Sequence, residues 1–533
     1  MSAPEWADPD LDNTDLDNTG LDNTDLGNTD LDNTGLGNAP VWSGAALAGG
    51  LTGPAALAPL LDVAVRALAD GAHLRAGPVP AGTPADVAAA VATALAGNAL
   101  PETGTDPATA LAGLATALSA GTADPADPHC AGHLHCPPLA VAVAADVVAA
   151  ALNPSLDSWD QGPSATALEP WLIRALAAAV GYPPDRAGGV LTSGGTESNL
   201  MGLLLARDRA APRLTGRPAA AHGLGVAAGR LVVLCSEVAH FSVRRNAALL
   251  GLGEDAVIAV PVDGAHRMDP AALTDRLTAA VGDGLVPAAV VATAGTTDFG
   301  SIDPLPAIAD VCTRYGVWCH VDAAYGGGAV FSDALAGLLT GLDRADSIAL
   351  DLHKLGWQPV PAGVFLTARV KSLASLERRV AYLNPADDET AGYPSLLGRS
   401  LRTTRRVDAF KLAVTFRVLG RQGLGRLVDA CHALAHHAAA RVRAHPRLSL
   451  AADPVLTTAV FRWQDPAVPD LDRINAALRR RLLREGRAVV GRTEVNGAVW
   501  LKLTLLNPHA TTADVDALLA AVVRAGDTEA ATR

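Results

Sequence analysis

Between residues 126 and 420, short apolar runs alternate with stretches whose apolar residues follow helical spacing. The runs LVVLCSE (231–237), AAVVATAG (288–295), VWCHVDAA (317–324), SIALDLHK (347–354) and AGVFLTA (362–368) carry few polar positions before their last residues. Near-continuous runs of this kind predict strands buried on both faces, and their alternation with helices predicts a mostly parallel sheet covered by helices. Residues 45–125 are Ala- and Leu-rich with helical spacing, broken by Gly and Pro near 77–84 and 97–107, and predict several helices on the edge of the fold. From about residue 421 a long helix, with LGRLVDACHALAHHAAARVRAH (424–445) as its body, leads into a smaller region of strands and helices ending near 525. The expected class is α/β: an N-terminal helical segment (45–125), a large domain (126–420) and a small C-terminal α/β domain (421–533).

The first 40 residues break this pattern. From Asp10 to Asn38 the sequence repeats with a period of five, one Leu among Asp, Asn, Thr and Gly. So little apolar surface does not offset chain entropy, and a disordered tail is expected, with a short pentapeptide β-coil as the other reading. Residues 1–40 hold nine Asp, one Glu and no Lys or Arg, so ten of the 13 net negative charges sit there. The rest of the chain is nearly neutral and has no basic stripe for nucleic acid. No uninterrupted apolar run reaches the roughly 18 residues of a membrane-spanning helix, and the N-terminus lacks a basic-then-apolar leader. Six cysteines in 533 residues make no disulfide framework. A cytoplasmic address is the expectation.

Candidate chemistry sits where the apolar runs end. Lys354 closes Asp351-Leu352-His353-Lys354, placed to put an amine in a cleft. Asp322 ends another strand in His320-Val321-Asp322-Ala323-Ala324, where a carboxylate followed by a small residue could meet a planar ring. Thr192-Ser193-Gly194-Gly195-Thr196-Glu197-Ser198-Asn199 is a strand, a glycine turn and a helix start, the arrangement that offers backbone N–H groups to a phosphate. No Walker lysine accompanies it, which excludes a P-loop triphosphate site. His240 in Ser236-Glu237-Val238-Ala239-His240 could stack on a ring and move protons. Thr296, in Thr293-Ala294-Gly295-Thr296-Thr297, offers a hydroxyl. Alone, each has an ordinary explanation: a solvated lysine, a helix-capping Asp, a core histidine. His129, Cys130, His133, His135 and Cys136 lack the paired spacing of structural zinc sites, and no metal is expected.

Taken together and in this order, these motifs resemble the group II pyridoxal-5′-phosphate (PLP)-dependent amino-acid decarboxylases over about residues 126–510. The resemblance implies fold-type I: a large domain with a mainly parallel seven-stranded sheet, a small C-terminal domain, and a homodimer with its sites at the interface. It implies PLP as cofactor, held by Lys354 as a Schiff base, with Asp322 at the pyridine nitrogen and His240 stacked on the ring. Gly195, Thr196 and His353 would be phosphate ligands, Ala324 would lie against the ring, and Thr296 would contact its side. Thr166, in Gly162-Pro163-Ser164-Ala165-Thr166, matches a threonine on the substrate side. Tyr382, ahead of the polar run Ala386–Thr390, resembles a loop tyrosine that returns a proton to the substrate carbon, and with Lys354 and His240 completes the expected catalytic set.

The chain departs from the family pattern at two places. Lys502 stands where many members carry an arginine for the substrate carboxylate, so that role is expected to be shared with Arg405 or Arg492. Cys130 and Ala131 replace bulky aromatics and are expected to widen the pocket wall. The wording of Ser155–Gln161, Gly356–Pro359 and Thr403–Asp408 is most similar to the branch acting on diamino acids such as 2,4-diaminobutyrate, lysine or ornithine. The aromatic-amino-acid branch, an oxidative deaminase yielding an aldehyde, and a PLP-binding scaffold without activity are the alternatives.

Overall fold

The computed structural model describes residues 45–532; the acidic repeat lies outside the described residues. Twelve strands form two sheets. In chain order they are Cys130–Ala131 (β1), Gly188–Thr192 (β2), Leu231–Ser236 (β3), Val257–Val260 (β4), Val286–Thr293 (β5), Trp318–Ala323 (β6), Ser347–Asp351 (β7), Gly363–Thr367 (β8), Leu448–Leu450 (β9), Thr458–Trp463 (β10), Val489–Val495 (β11) and Ala498–Thr504 (β12).

The large sheet has seven strands in the order β2-β8-β7-β6-β5-β3-β4, and only β8 runs against its neighbours. The expected mainly parallel seven-stranded sheet is therefore present. Its strands are apolar throughout because both faces are covered. Val232 and Leu234 belong to the core on one face of the sheet, which also takes in Leu172 and Leu176 of the helix Pro163–Ala179 and Leu273 and Leu277 of Pro270–Gly282. Val233 and Cys235 belong to the core on the other face, which also takes in Met201 and Leu205 of Gly195–Ala210. A period of two thus serves two cores.

The small sheet has the order β1-β11-β12-β10-β9 and is antiparallel except for the β1–β11 pair. Its core joins Phe461, Leu501 and Leu503 to Leu478 of Leu471–Arg484 and Leu518 of Thr512–Ala531.

Two elements cross the limits expected from composition. β1 belongs to the small sheet although it precedes the large one. Ala131 is buried in the core of that small sheet, which corrects the expectation that Cys130 and Ala131 widen a pocket wall. The long helix begins at Ala409 and runs to Ala444, with a break at Gly420 (φ 61°, ψ 177°), a conformation open to glycine. In the N-terminal segment the helices Gly53–Arg75 and Pro107–Gly121 pack on each other. No helix among the described residues is long and apolar enough to cross a membrane.

Candidate functional site

Parallel strands all deliver their C-terminal ends to one edge, and ligands gather there. A cavity of about 480 Å³ opens at that edge, and Lys354, Asp322, His240, His353, Gly195 and Thr196 all line it. The sequence separates these residues by up to 159 positions; the sheet brings them together.

Lys354 follows β7, and its Nζ lies 3.0 Å from Asp351 Oδ2. The same carboxylate oxygen lies 3.5 Å from His353 Nε2. Asp322 sits near the end of β6, where its Oδ1 accepts from the Ala324 backbone N–H (3.1 Å) and its Oδ2 from Asn199 Nδ2 (2.7 Å). His240 follows β3, with Nδ1 2.8 Å from Ser242 Oγ. Burial lowers the His240 pKa, with the Asp322 charge pulling the other way. Burial likewise lowers that of His353, whose Nδ1 accepts from the Ala362 N–H at 3.3 Å.

The glycine turn is built for close approach. A Cβ at Gly195 would stand 2.9 Å from Ala324 Cβ and 3.1 Å from Asp351 Oδ2, so only glycine fits. No side chain caps the helix Gly195–Ala210 at its N-cap Gly194, and Glu197 instead takes the Ser193 N–H (2.6 Å) while paired to Arg402 (3.0 Å). This uncapped end, with its positive dipole, suits an anion such as a phosphate monoester. The donors, the glycine cradle, the carboxylate and the amine together fit a phosphorylated aromatic aldehyde.

Other expected residues lie elsewhere. Thr296 is buried and its Oγ1 accepts from the Ser301 N–H (3.0 Å); its neighbour Thr297 lines the cavity in its place. Arg405 Nη1 holds both oxygens of Glu169 at 2.8 and 2.9 Å, while its Nη2 is buried without a hydrogen-bond partner among the described residues. Lys502 is likewise engaged, with Nζ 2.7 Å from Asp298 Oδ1 and 3.3 Å from the Thr297 carbonyl, so it braces the turn that carries Thr297. Arg492 is exposed on β11. Thr166 is buried on the first turn of Pro163–Ala179, outside the cavity lining. Tyr382 is 81% exposed and lines a separate surface hollow with Trp159 and Tyr393. Of the His/Cys stretch, Leu134 reaches the cavity and Cys136 Sγ donates to the His353 carbonyl (3.1 Å).

The Arg405–Glu169 pair makes a stability prediction, since both side chains are 2% exposed. Arg405→Ala leaves a buried carboxylate without its cation and should cost about 3–5 kcal/mol. Urea unfolding should show it as a lowered midpoint, and replacing both partners by apolar residues should recover most of the loss.

Two residues of the site escaped the reading of the sequence. Asp351 stands three positions before Lys354, and Asn199 four after Gly195, on the same helix face. Both spacings were visible signals.

Comparison with known proteins agrees with this geometry. The pyridoxal-dependent decarboxylase conserved domain matches residues 93–464. The chain is 43% identical over 424 residues to an L-2,4-diaminobutyrate decarboxylase of Rhizobium meliloti (strain 1021), covering 79% of this chain and 83% of that protein. A protein of the same name from Acinetobacter baumannii is 40% identical over 405 residues, covering 74% and 79%. The crystal structure of the glutamate decarboxylase domain of diaminobutyrate-pyruvate transaminase and L-2,4-diaminobutyrate decarboxylase from Vibrio parahaemolyticus superposes with a TM-score of 0.82 at 34% identity, covering 91% of this chain and 99% of that one.

Proposed function

Since the chain belongs to the pyridoxal-dependent decarboxylase family, we propose that it removes the α-carboxylate of a diamino acid, with L-2,4-diaminobutyrate first and lysine or ornithine next. The observation that carries this reading is the convergence of one lysine, one strand-end carboxylate, one imidazole and one uncapped glycine turn on a single cavity. The substrate class rests on the names of the relatives in the two bacteria above.

The cofactor is pyridoxal 5′-phosphate, which when bound supplies an aldehyde for covalent attachment and a ring that takes up the electron pair left by departing CO₂. In our reading Gly195, Thr196 and His353 hold its phosphate, Ala324 lies against the ring, and Asp322 faces the ring nitrogen. Lys354 is the attachment amine. Asp351, 3.0 Å from Nζ, holds it at the mouth of the strand edge. His240 covers the ring and, with Nδ1 accepting from Ser242, presents Nε2 to the cavity. Tyr382 returns the proton to the substrate carbon. Its exposure on its own chain supports a homodimer in which this hydroxyl serves the cavity of a second copy. Exposed Leu68, Leu118, Leu152 and Trp171 supply apolar surface for such pairing. The absence of any disulfide among the six cysteines supports a reducing, cytoplasmic setting.

The deciding experiment is a panel of amino acids scored for CO₂, amine and oxygen uptake. L-2,4-diaminobutyrate should give amine and CO₂ in equal amounts without oxygen consumption. Preference for an aromatic amino acid would overturn the substrate assignment, and oxygen uptake in step with CO₂ would replace the amine product by an aldehyde.

A further inference from the structure

We propose that Asn199 is a positioning residue that ties Asp322 to His240 through one polarised hydrogen-bond chain. The direction of each link follows from what each atom is able to give. Trp318 Nε1 only donates, and it donates to Ser347 Oγ at 2.8 Å. Ser347 Oγ lies 2.8 Å from His320 Nδ1, and His320 Nε2 lies 2.9 Å from Asn199 Oδ1. An amide oxygen only accepts, so His320 carries its proton on Nε2. His320 is wholly buried, and burial lowers its pKa, so the ring is neutral and its Nδ1 accepts from the Ser347 hydroxyl. Gly202 makes room for this ring: a Cβ there would stand 2.5 Å from His320 Nδ1.

Asn199 then spends its two N–H bonds in two directions. One goes to Asp322 Oδ2 (2.7 Å) and the other to Ser242 Oγ (3.0 Å). The acceptor at Asp322 fixes which end of the amide faces it. Ser242, already accepting from Asn199, turns its own hydroxyl proton toward His240 Nδ1 at 2.8 Å, and its backbone N–H adds a longer bond of 3.3 Å to the same nitrogen. His240 is thereby held with Nε2–H toward the cavity. Asn199, Ser242, His320 and Ser347 are all buried, so no water competes for these links. One side chain thus orients both the group facing the ring nitrogen and the group covering the ring.

The inference rests on the roles given above to Asp322 and His240, and its test reads the histidine directly. In cofactor-loaded enzyme labelled with ¹⁵N-histidine, His240 (identified by the signal lost in His240→Gln) should show a bare Nδ1 and a protonated Nε2. Asn199→Leu keeps about the size and removes both donors, so Asp322 Oδ2 and Ser242 Oγ each lose a partner. The Ser242 hydroxyl bond to His240 then loses its polarisation, so the Nδ1 signal should move toward that of a bare nitrogen without a hydrogen bond, and kcat should fall by about 10²-fold or more with KM little changed. Ser242→Ala cuts only the arm to His240. With only the 3.3 Å backbone N–H left on His240 Nδ1, the signal should move the same way, toward a bare nitrogen without a hydrogen bond, while cofactor content stays at the wild-type level, and this variant serves if Asn199→Leu does not fold. Unchanged His240 nitrogen signals in Ser242→Ala would overturn the proposal. Because these signals do not depend on which amino acid is consumed, a wrong substrate assignment leaves the result readable.

Discussion

Lys354→Ala is expected to abolish CO₂ release and, at the same time, covalent retention of the cofactor. Among the described residues Lys354 is the only lysine lining the cavity, so no second amine stands ready to take its place. A primary amine is the group that attacks an aldehyde, and the loss goes beyond a displaced proton carrier. The rate should therefore fall at least as far as the ~10²–10⁴ that follows removal of one acid–base group. Borohydride treatment followed by mass spectrometry should fix the cofactor to the wild-type chain and not to the variant. The fold should survive, because the side chain is partly exposed and its one ion pair is with Asp351. A variant that releases CO₂ near the wild-type rate would remove the basis of the functional reading.

Asp322→Asn is expected to keep cofactor and fold while losing most of the rate. Two donors, Asn199 Nδ2 and the Ala324 N–H, are aimed at the two oxygens of this carboxylate. An amide offers one oxygen to both, so one donor would face an N–H group, at a cost of about 1–3 kcal/mol for a buried unsatisfied partner. The larger effect is electrostatic. Removing the charge that faces the ring nitrogen should lower kcat by the ~10²–10³ seen when one preorganised partner is lost. The measurements are kcat at saturating PLP and the thermal midpoint of the same preparation. A wild-type rate would show that another group performs this task.

These two residues were legible in the sequence because the end of a buried parallel strand is marked by the apolar run itself. SIALD stops at Asp351 just before Lys354, and VWCHVDA holds Asp322 near its end, so the periodicity that predicts the sheet also predicts its functional edge. The mostly parallel sheet and the glycine turn were readable on the same grounds, while the number of strands came only from the family resemblance. What could not be read was the partner of each remaining charge. Arg405 meets Glu169 from 236 positions away and Lys502 meets Asp298 from 204, and nothing in local spacing encodes such meetings. Each of these cations carries a distant ion pair that no pattern along the chain announces. The exchange of Thr296 for Thr297 is a matter of one residue in a turn, below the resolution of pattern reading. β1 was invisible for a different reason: two residues are too few to show any period.

That two-residue strand has a consequence for the birth of the enzyme. Cys130 and Ala131 are aligned with Val489 and Val490, and only three residues beyond them Leu134 enters the cavity wall. Chains emerge from the ribosome at roughly 5–20 residues per second and fold N-terminal units first where those units are self-contained. Here the wall that carries Leu134 is anchored to a strand made more than 350 residues later, long after all seven strands of the large sheet have been synthesised. A nascent chain thus holds the lysine, the carboxylate and the glycine turn with one side of the cavity still missing. The wall that carries Leu134 gains its anchor only once β11 has been made.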